Sequence, residues 1–147
     1  MTPDVNVLVA ASRRDHPHYT PARAWLDAAL ADCASGARFS LLPMVATGMV
    51  RLVTHPKVFT EPTPTAAALA FIDAVRLSPG VETPVLEGEW TTFAGLCRVH
   101  TLAGNAVPDA WIAAAVRHHR EHLATFDRGF RRLLDAGSLT VLQASVP

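Results

Sequence analysis

Val5-Asn6-Val7-Leu8-Val9-Ala10 is a short, β-branched apolar run, and it predicts a buried first strand almost at the chain start. A polar stretch from Ser12 to His18 follows. Thr20-Pro21 then predicts a helix start, with Thr as N-cap and Pro where its missing N–H costs nothing. Ala22, Trp25, Leu26, Ala29, Leu30 and Cys33 recur at helical spacing, and Gly36 closes that helix. Residues 38–41 predict a second short strand. Leu42, Val45, Ala46, Met49, Val50 and Val53 form the next helical stripe. Met44, Gly48 and Leu52 make the neighbouring stripe apolar too, so this helix is expected to be buried on most sides until His55-Pro56 stops it.

The second half alternates in the same way. An Ala-rich helix is expected from about Thr65 through Arg76, broken by Ser78-Pro79-Gly80. Residues 81–86 predict an edge or irregular strand, because Pro84 cannot donate to a ladder. Residues 87–100 predict a helix with Trp90, Phe93, Ala94 and Cys97 on one face. After Gly104-Asn105, a helix beginning at Val107-Pro108-Asp109-Ala110 carries Trp111, Ile112, Ala115 and Val116 inward. Leu123-Ala124-Thr125 predicts a strand, Arg128 to Leu134 a helical turn or two, and residues 139–142 the last strand. Strands alternating with helices predict a single α/β domain over residues 1–147, its parallel sheet covered on both faces.

Composition narrows the function. A chain of 147 residues, half of them hydrophobic and 18% charged, is a foldable domain and not a disordered tail. Lys+Arg and Asp+Glu are 13 each, which excludes a strongly basic wrapper of nucleic acid and leaves room for a local basic patch. No apolar run approaches the roughly 18–20 residues that span a bilayer. Asp4 and the lack of a basic leader argue against a signal peptide, so a cytoplasmic location is expected. Cys33 and Cys97 suggest buried thiols in a reducing compartment, not a disulfide framework or a zinc site.

Ligands of parallel α/β sheets sit beyond the carboxyl ends of the strands. Three acids fall at strand ends or helix starts: Asp4 at the very start of the first apolar strand, Asp109 in the first turn of a helix, and Asp127 directly after a strand. Each has an ordinary alternative, as strand-edge solvation for Asp4, a first-turn acid for Asp109 and an N-cap for Asp127. Asn6 is harder to dismiss, because an amide inside a Val-rich run must find hydrogen-bond partners if buried. Gathered carboxylates repel one another unless a hard divalent cation neutralises them, and Mg²⁺ or Mn²⁺ suits such oxygen sites. Composition and spacing alone do not point to nuclease chemistry.

Four segments together resemble a PIN-domain ribonuclease of the VapC toxin type. They are Asp4-Val5-Asn6 with the apolar run behind it, residues 51–59 around Thr54-His55-Pro56, residues 104–114 around Pro108-Asp109-Ala110, and residues 124–130 around Thr125-Phe126-Asp127. The resemblance runs over nearly the whole chain. It implies a three-layer α/β/α domain and an Mg²⁺- or Mn²⁺-dependent endoribonuclease that cuts structured cellular RNA, tRNA or rRNA, and inhibits translation. It also implies a cognate antitoxin and a homodimer. By the same resemblance Asp4, Asp109 and Asp127 are the catalytic and metal-holding acids, with Asn6 and Thr125 in support.

One position departs from the pattern. Many PIN nucleases carry a glutamate three residues before the position of Arg51, where this chain has Gly48. A PIN-like module that binds RNA or the antitoxin without useful catalysis is therefore the alternative. A phosphotransferase of the haloacid-dehalogenase type fits worse, since Asn6 stands where that chemistry needs a second Asp. Arg13, Arg14, Arg51, Arg128 and Arg131 are the candidate RNA contacts, although the last two equally suit the solvated face of a short helix. His118, His119 and His122 are read as cationic character at a helix C-terminus. Glu87 and Glu89 are read as surface or helix-start acids, and Trp25, Trp90 and Trp111 as core or interface residues.

Overall fold

A computed structural model describes residues 1–143. In chain order its elements are β1 (Thr2–Pro3), α1 (Val5–Ser12), α2 (Tyr19–Ala34), β2 (Phe39–Ser40), α3 (Pro43–Val53) and α4 (Thr65–Arg76). Then come β3 (Val81–Glu82), α5 (Trp90–His100), α6 (Ala106–His118), β4 (Leu123–Thr125), two 3₁₀ turns (Arg128–Arg132 and Ala136–Ser138) and β5 (Leu139–Val141). Every ladder is parallel: β1 pairs with β4, β4 with β5, and β2 with β3. The Ser40 N–H donates to the Met1 carbonyl at 2.8 Å and stitches the two ladders together in the order β3-β2-β1-β4-β5. With α1 packed on α2 and α3, α3 on α4, and α5 on α6, the domain is a three-layer α/β/α structure.

The first element differs from the sequence expectation. The strand is only Thr2–Pro3, and Val5 to Ser12 is helical. Asp4 ends the strand in an extended conformation, and its Oδ1 accepts the Val5 N–H at 2.6 Å, which caps the helix. Val7, Leu8, Val9, Ala10 and Ala11 are all buried. A helix enclosed on every side loses its polar stripe, and a run this short then has no period to tell it from a buried strand. The start of α2 also moves: His18, not Thr20, is its N-cap residue. The other elements lie within a few residues of their expected positions. Leu123–Thr125 coincides with its prediction.

The core runs from α1 through Phe39, Leu41, Leu42, Val45 and Met49 to the inner face of α6 and to Phe130. Trp25 packs against this core, Trp111 is half-buried with its ring edge-on to that of Phe93, and Trp90 is 67% exposed. Among the described residues no helix is long and apolar enough to cross a membrane.

Candidate active site

β1 and β4 are parallel neighbours, with Thr2 opposite Leu123 and Pro3 opposite Ala124. Their carboxyl ends therefore leave the sheet side by side, placing Asp4 just past one and Thr125 at the end of the other. The Asp4 N–H donates to the Ala124 carbonyl at 2.8 Å and continues the ladder past Pro3, which has no N–H to give.

A dense polar network ties the two ends together. Asp4 Oδ2 accepts from Thr125 Oγ1 and from Asn6 Nδ2, both at 2.6 Å. Asn6 Nδ2 also reaches Thr125 Oγ1 at 3.0 Å, and Asn6 Oδ1 accepts the Phe126 N–H at 3.1 Å. The Asp127 N–H donates to Thr125 Oγ1 at 2.9 Å, and the Asp127 carboxylate accepts the Gly129 N–H at 2.6 Å. Asn6 is half-buried and finds these partners from the first turn of α1 rather than from a strand.

Asp109 arrives from a third direction, on the first turn of α6. Asp4, Asn6, Asp109 and Asp127 line one cleft of about 810 Å³, together with Gly48, Arg51, Asn105 and apolar walls from Val5, Met44, Leu52, Trp111 and Ile112. Asn105 carried no functional expectation. Its only sequence signal is a polar residue immediately before the helix that bears Asp109.

The carboxylates feel one another. Burial pushes the Asp4 carboxyl up to about 6; the Thr125 and Val5 hydrogen bonds oppose this, while the charges of Asp109 and Asp127 add to it. Asp109 is also raised, by burial and then by Asp127. Among the described residues none of the three is ion-paired. An unpaired all-oxygen set of this kind suits a hard divalent ion. The three do not meet as a tight cluster: among the described residues only Glu89, His118 and His119 bring three ligand atoms within 4.8 Å of one another. Such wider spacing fits an ion that keeps several of its own waters.

The cations divide. Arg51, exposed in the last turn of α3, lines the cleft. Arg128 and Arg131 line an adjoining depression with His18 and Phe126, whose rings stack at 4.7 Å. Arg14 is exposed. Arg13, expected beside phosphates, turns inward: its guanidinium bonds to Asp15 and Thr63 and lies 3.9 Å from the centre of the Phe59 ring. Glu89, expected as a surface or helix-start acid, does stand at the start of α5, but it is 1% exposed and bonded to His119. A hydrogen-bond partner on a neighbouring helix is invisible to local sequence.

A cleft of carboxylates past the carboxyl ends of adjacent parallel strands, floored by an α/β/α domain, defines the class of this protein. The PIN domain family matches residues 1–134. Ribonuclease VapC25 of Mycobacterium tuberculosis is 34% identical over 131 residues, covering 88% of this chain and 89% of that protein. Ribonuclease VapC48 of the same species is 34% identical over 133 residues, covering 88% of each. The crystal structure of VapBC2 from Rickettsia felis, bound to a DNA fragment from their promoter, superposes with a TM-score of 0.67 at 16% identity, covering 97% of this chain and 98% of that one. That likeness is one of fold. The chain belongs to the PIN-domain family, among its VapC ribonucleases.

Proposed function

We propose that this protein is a divalent-metal-dependent endoribonuclease, the toxin of a toxin–antitoxin pair, which cuts a structured cellular RNA such as tRNA or rRNA and so inhibits translation in the cytoplasm. The observation that carries the reading is the convergence of Asp4, Asp109 and Asp127 on one cleft, with no cation among the described residues paired to them. These three residues would hold Mg²⁺ or Mn²⁺, which acidifies a bound water and stabilises charge on the phosphodiester. Thr125 and Asn6 fix the Asp4 carboxylate in its rotamer and donate to it. Asp127 is oriented by the Gly129 N–H. Arg51 stands where a phosphate entering the cleft meets a positive charge. A cognate antitoxin and a second copy of the chain are the protein partners of this reading, and the exposed side chains of Leu77, Val85, Trp90 and Val99 offer apolar surface for them.

A second reading, an RNA- or antitoxin-binding module with weak catalysis, is favoured by one observation: Gly48 faces the cleft and adds no fourth acid. Cleavage of total cellular RNA by wild type and Asp4→Asn across Mg²⁺ and Mn²⁺ titrations separates the two. The nuclease reading expects cleavage by wild type and its loss in Asp4→Asn. If both are inert with every divalent ion while the protein binds its antitoxin, the binding module stands instead.

A further inference from the structure

We propose that Glu89, His118 and His119 form a second metal site, separate from the aspartate cleft, which takes a transition ion of the zinc class. Glu89 immediately precedes α5, His118 is the last residue of α6, and His119 is the C-cap of α6. α5 and α6 pack together, and this brings one ligand atom from each of the three side chains within 4.8 Å of the others. His119 Nε2 already lies 2.6 Å from Glu89 Oε1. The two imidazoles meet edge to face, centroids 5.0 Å apart at 73°, so their ring nitrogens are not stacked face to face against one another.

A second feature of the backbone accommodates this arrangement. Gly88 has φ +87°, and a Cβ there would stand 3.2 Å from Cε1 of His118. Both the left-handed backbone and the space taken by the ring call for glycine. The cradle therefore seats His118 beside Glu89.

The chemistry of the set selects the ion. Two imidazoles and a carboxylate form an N₂O group that suits Zn²⁺ with three protein ligands and a water, whereas Mg²⁺ prefers oxygen alone. The cysteine count spoke against a zinc site, and this one uses no cysteine. Glu89 is 1% exposed, and the one hydrogen-bond partner of its carboxylate among the described residues is His119. A buried carboxylate gains most from a cation brought to it. His118 is exposed, which leaves an entry path and room for the water. Asp109 lies nine residues earlier on the same helix, about 14 Å along its axis. The two sites are therefore distinct, and an ion here would tie the start of α5 to the end of the helix that carries Asp109.

The test uses the tag-free full chain stripped of metal, titrated with Zn²⁺ by calorimetry and with Co²⁺ by visible absorption. Wild type is expected to bind one equivalent of zinc, to show the intense bands of four-coordinate Co²⁺, and to gain thermal stability on loading. His118→Ala and Glu89→Gln should each weaken zinc binding by roughly tenfold or more, while Asp4→Asn and Asp109→Asn keep it. His118 is exposed, so His118→Ala decides the matter even if Glu89→Gln does not fold. The proposal is overturned if wild type binds no zinc at micromolar metal, if His118→Ala binds as tightly as wild type, or if binding is lost in Asp109→Asn instead.

Discussion

Asp4→Asn separates the charge of the first acid from its shape, and its sharpest consequence lies in stability. The Asp4 carboxyl is raised from 3.8 to about 6 in the fold. A carboxyl raised by folding binds its proton more tightly in the native state than in the unfolded one. Stability from this group is therefore full below the unfolded value and is lost as pH climbs through the folded one. The shift amounts to about 3 kcal/mol in all, of which about 2 kcal/mol falls between about pH 4.5 and about pH 7.5. Asn removes the titration but also a hydrogen-bond acceptor from Thr125 and Asn6, a cost that does not depend on pH. The quantity to read is thus the pH dependence of the difference between the two proteins.

Urea unfolding of both proteins in chelator, at several pH values, supplies it. The stability of wild type minus that of Asp4→Asn should fall by about 2 kcal/mol over that interval. Asp109 is raised in the same direction, but it is present in both proteins and largely cancels. Mn²⁺ added at the upper pH should restore wild type and leave Asp4→Asn nearly unchanged, since binding to the native state alone stabilises it. A difference that stays flat with pH would refute the claim that burial and neighbouring carboxylates destabilise the ionised Asp4.

Three further outcomes are expected. Thr125→Val removes the hydroxyl that donates to Asp4 and accepts from Asp127, so the Asp4 carboxyl should rise further and the pH at which metal binds should move up; Thr125→Ser should restore both, as followed by Mn²⁺ titration against pH. Arg51→Glu should weaken RNA binding and lower the slope of log affinity against log salt by about 1 or more, whereas Arg13→Ala should leave that slope alone and cost about 1–2 kcal/mol of stability through lost bonds and the Phe59 contact. Gly48→Glu places a Cβ 3.0 Å from a methyl of Val5, so it is expected to tighten Mn²⁺ binding when combined with Val5→Ala; equal affinity of the double variant and Val5→Ala alone would put position 48 out of reach of the ion.

The sequence made most helices legible because their buried faces recur at helical spacing, as Val45, Met49 and Val53 do in α3. It failed at α1 for the opposite reason. Val7 to Ala11 are buried without interruption, so the period that separates strand from helix is absent. Asp109 and Asp127 lie where the sequence places them, on the first turn of a helix and just past a strand, whereas Asp4, expected at the start of a strand, follows one instead. The partner of Glu89 was not legible, because His119 lies 30 residues away and only the packing of α5 on α6 joins them. Arg13 misled for a similar reason: a cation in a loop past the first strand looks free until Phe59 and Thr63 close over it.

The misread first element bears on how the site is built. Had the strand run on to Ala10, Asp4 would have stood at its start, far from the carboxyl end where parallel sheets bind ligands. With the strand ending at Pro3, Asp4 becomes at once the last ladder partner of β4, through its N–H to Ala124, and the cap of α1, through its carboxylate to Val5. The same side chain accepts from Thr125 and Asn6. In a ladder only two residues long these bonds make up a large share of what holds β1 beside β4. The network that aims the carboxylate is therefore also part of what fixes the strand register. The charge is separable from that role, because a protonated Asp4 can keep the bonds from Val5, Thr125 and Asn6 through its two oxygens. Ionisation strengthens the bonds from Thr125 and Val5 but costs more through burial, and that net cost in the metal-free protein is the property that a divalent ion can relieve.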